Sequence, residues 1–70
     1  MNIPYTISSL RQKGLTQTQI GGAIGRTQTS VSDMEAGKAG VKRPTESVVR
    51  GLKKLAAKHG VRTEPPAPPP

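Results

Sequence analysis

The side chains that could take part in chemistry are mostly cations. The 70-residue chain carries eleven Lys and Arg against four Asp and Glu, a formal net charge of +7, with one His and no Cys. A positive surface attracts polyanions, so nucleic acid is the first expected partner, ahead of an acidic protein or a membrane surface. The carboxylates are scattered and His59 lies near the predicted end of a helix, so no catalytic group is evident. We expect a binding protein without cofactor or metal, and not an enzyme.

The composition also restricts the kind of fold that can hold these cations. With no Cys, disulfides and Cys-rich zinc sites are excluded. Tyr5 is the single aromatic residue, so the core must be aliphatic, which suits short helices. No apolar run is long enough for a signal peptide or a membrane span, so we expect a cytoplasmic protein that does not bind a membrane.

Four short helices are predicted from apolar spacing and from residues that start or stop helices. The first ends at Gly14, and the second begins with a capping box of Thr16 and Gln19 and ends at Gly25. Their inward-facing residues, with those of the next two helices, form the expected core: Ile3, Ile7, Leu10, Ile20, Ala23, Ile24, Val31, Met34, Val48, Leu52, Leu55 and Ala56.

The second half of the chain is predicted to hold two more helices and a tail. The third helix follows a Thr27 cap and covers residues 28–36. A basic loop, residues 38–44, leads to Thr45, which is expected to cap an amphipathic fourth helix over residues 46–59. We therefore expect one domain over residues 1–61 and a disordered proline-rich tail over residues 62–70 that takes no part in the core.

The second and third helices are joined by a tight turn. Gly21 would let their backbones approach closely, and Gly25 would supply the positive-φ residue of the turn. Two short helices connected in this way, the second polar on its outer face, form a device that inserts a helix into the DNA major groove.

The run GLTQTQIGGAIGRTQTSVSDMEAGK, residues 14–38, resembles the Cro/C1-type (XRE-like) helix-turn-helix of phage repressors and small bacterial transcription regulators. The matching elements are residues 14–17, the small residue Gly21, the turn residue Gly25, residues 28–31 and residues 35–38. The likeness covers about residues 7–60. It implies an all-α, lambda-repressor-like domain of four or five helices that binds double-stranded DNA.

The resemblance also implies roles for individual side chains. In such proteins the residue that corresponds to Gln17 contacts a phosphate and braces the first residue of the recognition helix, which is Gln28 in this chain. Gln28 would read a base edge, pairing with N6 and N7 of adenine, and Thr29 would meet a thymine methyl group. The remaining candidates are Ser30 for a phosphate or a base, Asp33 for the amino group of cytosine, and Arg26, Lys38, Lys42 and Arg43 for phosphates.

Three features depart from the family pattern. Arg26 occupies a turn position that is usually apolar. Glu35 usually pairs with an Arg of the first helix, but the matching position holds Leu10 and the nearest cation, Arg11, is one residue further along. The final helix often used for dimerisation is replaced by the tail, which leaves monomer and homodimer as alternatives.

Two functional hypotheses follow. In the first, the protein binds an operator as small phage regulators do. In the second, the same fold binds a protein, notably host RNA polymerase, and so inhibits or redirects transcription. Asp33 on the recognition face and the missing dimerisation helix favour the second, because isolated domains rarely achieve high operator affinity.

Overall fold

A computed structural model describes residues 1–38 and 45–66, which form four α-helices. These are α1 (Ile3–Gln12), α2 (Gln17–Ile24), α3 (Gln28–Glu35) and α4 (Glu46–His59). The all-α class and the four predicted helices are confirmed, and over these two ranges there is no strand and no fifth helix. None of the described helices is long and apolar enough to cross a membrane.

Side-chain caps explain where the first three helices begin. The predicted capping box of α2 is present: the Thr16 hydroxyl accepts the Gln19 N–H at 3.1 Å, and the Gln19 side chain accepts the Thr16 N–H at 2.9 Å. The Thr27 hydroxyl accepts the Ser30 N–H at 3.1 Å, as expected for the cap of α3. At α1 the cap is Asn2, which accepts the Tyr5 N–H at 3.0 Å. Each cap satisfies a backbone donor that the helix itself leaves unpaired.

The start of α4 differs from the prediction. Thr45 occupies the N-cap position, but its side chain makes no capping hydrogen bond to the helix. Its hydroxyl instead accepts a hydrogen bond from Nη2 of Arg26 at 3.0 Å. The prediction that Thr45 caps α4 through its side chain is therefore wrong, because a charged donor 19 residues earlier competes for the same oxygen, and charge-assisted hydrogen bonds are the stronger kind.

The core is aliphatic, as the composition requires. Ala23 is exposed, so its predicted place in the core is wrong: the packed side of α2 is the one that carries Ile20 and Ile24, and residue 23 points off that side. Leu55 is only partly buried and packs at the edge with Leu15 and Val61. The buried apolar side chains are Ile3, Ile7, Leu10, Ile20, Ile24, Val31, Met34, Val48, Leu52 and Ala56.

Helices α1 and α2 lie between the other two. Both α3 and α4 pack against α1 and α2, whereas these two outer helices do not contact each other. Gly51 allows α4 to lie very close to α2, because a Cβ atom at Gly51 would be 2.6 Å from Cγ2 and 3.0 Å from Cα of Ile24. The outward faces of α3 and α4 are therefore separate surfaces.

The chain beyond α4 returns to the start of α1. The carbonyl oxygen of Thr63 accepts a hydrogen bond from the Asn2 N–H at 2.8 Å. The buried Thr6 hydroxyl donates to the Asn2 carbonyl at 2.7 Å and shares its proton with the Thr63 carbonyl at 3.1 Å. The amino group of Met1 lies 3.0 Å from a Glu64 carboxylate oxygen. Contacts with the helices thus extend beyond residue 61, where we expected the domain to end, and residues 67–70 of the predicted tail lie outside the described residues.

Candidate nucleic-acid interface

The turn between α2 and α3 depends on two glycines. Gly25 ends α2 in the left-handed conformation (φ 74°), and its N–H donates to the carbonyl of Gly21, as does the N–H of Arg26 at 2.8 Å. A Cβ atom at Gly21 would lie 2.5 Å from the Arg26 carbonyl oxygen. Both predicted glycine roles are confirmed, and together they set the angle at which α3 leaves the turn.

The outer face of α3 is polar and accessible at its first turn. Gln28 and Thr29 are exposed, while Val31 and Met34 on the opposite side are buried in the core. Asp33 is half-buried and lies one helical turn after Thr29. Ser32 follows Gln28 by four residues and therefore shares its face, although the sequence analysis did not single it out.

Gln28 does not project freely, because α2 holds it. Its Nε2 donates to Oε1 of Gln17 at 2.6 Å, and Nε2 of Gln17 donates in turn to Oε1 of Glu35 at 3.0 Å. Bracing of Gln28 by Gln17, which the resemblance implied, is confirmed. The chain of hydrogen bonds passes from the end of α3 through α2 to the start of α3, so the orientation of Gln28 is set by both helices.

Glu35 is the centre of this network. Nη1 of Arg11 donates to Oε1 of Glu35 at 2.9 Å, and the Ser8 hydroxyl donates to its Oε2 at 3.2 Å. Arg11 therefore fills the role that the family gives to an arginine of the first helix, despite its offset by one residue. The sequence analysis missed Ser8; its signal was the spacing of three residues from Arg11, which places both on one face of α1.

The surroundings of Glu35 favour its charged form. Its side chain is 19% exposed. Burial by itself raises the pKa of this carboxyl, but the hydrogen bonds from Gln17, Arg11 and Ser8 and the charge of Arg11 outweigh burial, so the pKa of Glu35 lies below its ordinary value. An ionised Glu35 can accept all three hydrogen bonds at once, which keeps the network intact.

The other predicted site residues are placed in different ways. Ser30 is half-buried, and its hydroxyl and N–H both bond to Thr27, so it is less accessible than its neighbours. Arg26 is exposed at the turn and is held by Thr45. Lys38 is exposed just after α3. The two remaining predicted phosphate contacts, Lys42 and Arg43, lie outside the described residues.

The chain's relationship to known proteins agrees with this geometry. Residues 8–63 match the family model described as a helix-turn-helix domain. The matched segment begins at Ser8, one of the Glu35 partners, and includes the whole of α2, α3 and α4. No curated protein and no solved structure was matched. In DNA-binding proteins with this motif, the second of the two helices lies in the major groove. Since the family model covers well over half of the chain, this protein belongs to the helix-turn-helix domain family.

Proposed function

We propose that this protein is a transcription regulator that binds a specific DNA sequence by placing α3 in the major groove. The observation that carries the proposal is the braced position of Gln28: an exposed amide on the first turn of α3, held by Gln17 at 2.6 Å. A side chain that is already oriented loses less entropy on binding, which favours both affinity and selectivity.

The hydrogen bonds that Gln28 already makes leave the right groups for adenine. One N–H of its amide is used by Gln17, so the second N–H and the carbonyl oxygen are available. These are the donor for adenine N7 and the acceptor for adenine N6 in the bidentate pairing. The same amide would present mismatched groups to guanine, whose O6 and N7 are both acceptors, so we expect adenine opposite Gln28.

The neighbouring side chains extend the readout. The exposed Thr29 would set its methyl group against a thymine methyl, and Asp33 would accept from the N4 amino group of cytosine one helical turn further on. Ser30, with its hydroxyl engaged by Thr27, suits a phosphate better than a base edge. Lys38 and the cations of residues 42 and 43 would supply affinity through phosphates, in the manner of the resembling family.

The biological role that fits such binding is occupation of an operator in the cytoplasm. We infer repression, because the proteins it resembles are phage repressors and related regulators, and we place the gene in a phage or prophage on the same ground. Binding, not catalysis, is the proposed activity. A homodimer on two half-sites would be the usual way to raise affinity, since half-sites one DNA turn apart match a two-fold pair of domains.

Selection from a random duplex library at physiological salt tests the proposal. We expect enrichment of one sequence with an adenine whose preference disappears in Gln28→Ala, while the matched variant Gln12→Ala, at an exposed glutamine of α1, keeps the full preference. Loss of a bidentate base contact should reduce discrimination at that position by about 1–3 kcal/mol. Failure to enrich any sequence, or equal preferences in both variants, would contradict the proposal.

Asp33 supports a second candidate, in which the fold binds host RNA polymerase. It is partly exposed on the proposed reading face, where a carboxylate is repelled by phosphates unless a cytosine amino group is there to donate. If the basic surface binds an acidic patch of the polymerase, Asp33→Asn would strengthen binding to polymerase and to DNA without changing any base preference. In the DNA hypothesis the same change would instead relax the preference for one cytosine. Measuring the polymerase affinity and the base preference of this single variant separates the two candidates.

A further inference from the structure

The outer face of α4 carries cations that the readout by α3 does not use. Lys53, Lys54 and Lys58 are exposed there, beside the exposed Ala57. Arg50 shares this face but forms an ion pair with Glu46, one turn earlier. We call Lys53, Lys54 and Lys58 the lysine strip. Because α4 does not pack against α3, the lysine strip is a separate surface from the outer face of the recognition helix.

The spacing of these cations costs the helix some stability. Arg50, Lys54 and Lys58 follow one another at intervals of four residues, and like charges at that spacing repel each other across a helix turn. Glu46 pairs with Arg50 only, so the repulsion between Lys54 and Lys58 is not offset by it. The other described carboxylates are engaged or distant in the fold: Glu35 bonds to α1 and α2, Glu64 to the chain start, and Asp33 lies on α3. A bound polyanion would remove this repulsion.

The chemistry of the face selects among polyanions. A protein partner would normally be anchored by aromatic or other large apolar side chains, and a membrane surface would need an apolar wedge. Among the described residues the exposed large hydrophobic side chain is Met1, which is not on α4. DNA phosphates need neither, because neutralisation by lysine and release of counterions suffice for binding. The partner that fits best is therefore the backbone of duplex DNA.

The charge density also agrees with DNA. Lys53 to Lys58 spans five residues, a rise of about 7.5 Å along the helix. A duplex presents about four phosphates over that length of its axis. We propose that the lysine strip binds the phosphate backbone of a second duplex segment while α3 occupies the first, so that one protein molecule bridges two DNA segments. This inference rests on the proposed function, since it requires α3 to hold DNA.

A two-duplex capture assay tests the bridge. The duplex selected in the library experiment is tethered to beads, the full-length protein is loaded, and a fluorescent duplex of random sequence is added. The test variant is Lys54→Gln/Lys58→Gln. The charge-matched control is Lys13→Gln/Arg62→Gln, which removes two exposed cations elsewhere. Glutamine is nearly as good a helix former as lysine, and the two control residues lie outside the helices. Both variants should therefore keep wild-type circular dichroism and a melting temperature close to that of wild type.

We expect the test variant to stay on the tethered duplex as well as wild type does, while its capture of the second duplex falls roughly tenfold and the control's does not. If the three lysines of the wild-type strip each contact a phosphate, raising salt from 50 to 150 mM should weaken capture of the second duplex about 20-fold. The test variant keeps one such contact, so its capture should weaken about threefold. Loss of tethering by the wild-type protein would refute the proposed function. Two outcomes would overturn the bridge alone. One is normal tethering of the wild-type protein without capture of a second duplex. The other is equal capture by the test variant, which a dimer using two α3 helices would give.

Two further probes replace the second duplex in the same assay. Vesicles containing phosphatidylserine report a membrane surface, and poly-glutamate reports an acidic protein. Retention of either probe through Lys54 and Lys58 in preference to duplex DNA would overturn the assignment of the lysine strip to DNA. Preference for the duplex at equal charge concentration would support it.

Discussion

Replacing Gly21 and Gly22 by alanine, one at a time, should have opposite effects on stability. Both residues lie inside α2, where alanine is favoured over glycine by about 1 kcal/mol. A Cβ at Gly22 meets nothing within 4 Å, so Gly22→Ala should keep that gain and stabilise the protein by about 0.5–1 kcal/mol. A Cβ at Gly21 would lie 2.5 Å from the Arg26 carbonyl oxygen and 3.3 Å from the carbonyl group of Thr27.

The obstacle at Gly21 is backbone, so a change of rotamer cannot relieve it and the turn itself must move. Overpacking of this kind costs about 1–3 kcal/mol. Movement of the turn also strains the two hydrogen bonds that the Gly21 carbonyl accepts from Gly25 and Arg26, each worth about 1 kcal/mol. After subtracting the gain in helix propensity, Gly21→Ala should destabilise the protein by about 2 kcal/mol.

Urea and thermal unfolding followed by circular dichroism measure the difference. For a domain of this size 1 kcal/mol corresponds to roughly 4–8 °C, so Gly21→Ala should melt about 8–16 °C below wild type and Gly22→Ala a few degrees above it. If Gly21→Ala leaves too little folded protein, the same step can be measured in the Gly22→Ala background. A Gly21→Ala variant as stable as wild type would refute the close approach of the turn to α2.

Three other changes follow from specific contacts. Gly51→Ala should destabilise by about 1 kcal/mol in urea unfolding although it lies inside α4, because its Cβ would meet the fixed Cα and Cβ of Ile24 at 3.0 Å; a stabilised variant would contradict that packing. The lowered pKa of Glu35 means that its contribution to stability is complete above the unfolded-state pKa of about 4.3 and is lost as pH falls through the lower folded-state pKa. Glu35→Gln should therefore flatten the loss of stability as the pH falls below the unfolded-state pKa, and an unchanged acid limb would argue against the network. Thr45→Asp should raise the melting temperature, since a carboxylate there can both cap α4 and pair with Arg26, and the rise should shrink in the Arg26→Ala background.

Local signals predicted the starts of the helices well where the capping residue and its partner are three residues apart. The capping box of Thr16 and Gln19 and the Thr27 cap of α3 are of this kind. Thr45 looked the same in the sequence, yet its partner is Arg26, which only the packing of α2 against α4 brings near. The loss of a side-chain cap in this way cannot be predicted from local sequence, because the competing donor belongs to another part of the chain.

The site shows the same division. Bracing of Gln28 by Gln17 followed from the resemblance, since both lie within the matched run. The pairing of Glu35 with Arg11 did not, because alignment by position pointed to Leu10. One residue along a helix is a rotation of about 100°, which moves a short side chain out of reach but not an arginine, whose long stem can span the difference. Leu10 meanwhile is fully buried in the core, so its position could not carry the cation.

The offset of this arginine affects how Gln28 is oriented. Arg11 and Ser8 hold Glu35, Glu35 holds Gln17, and Gln17 holds Gln28. The angle at which the Gln28 amide points therefore depends on a residue of α1 that is itself exposed. The ion pair between Arg11 and Glu35 contributes little to the free energy of unfolding by its charge alone, since exposed ion pairs contribute about 0–1 kcal/mol. Its larger effect is geometric, because without Arg11 the partly buried Glu35 carboxylate would have only Gln17 and Ser8 as partners, and Gln28 would lose part of its support.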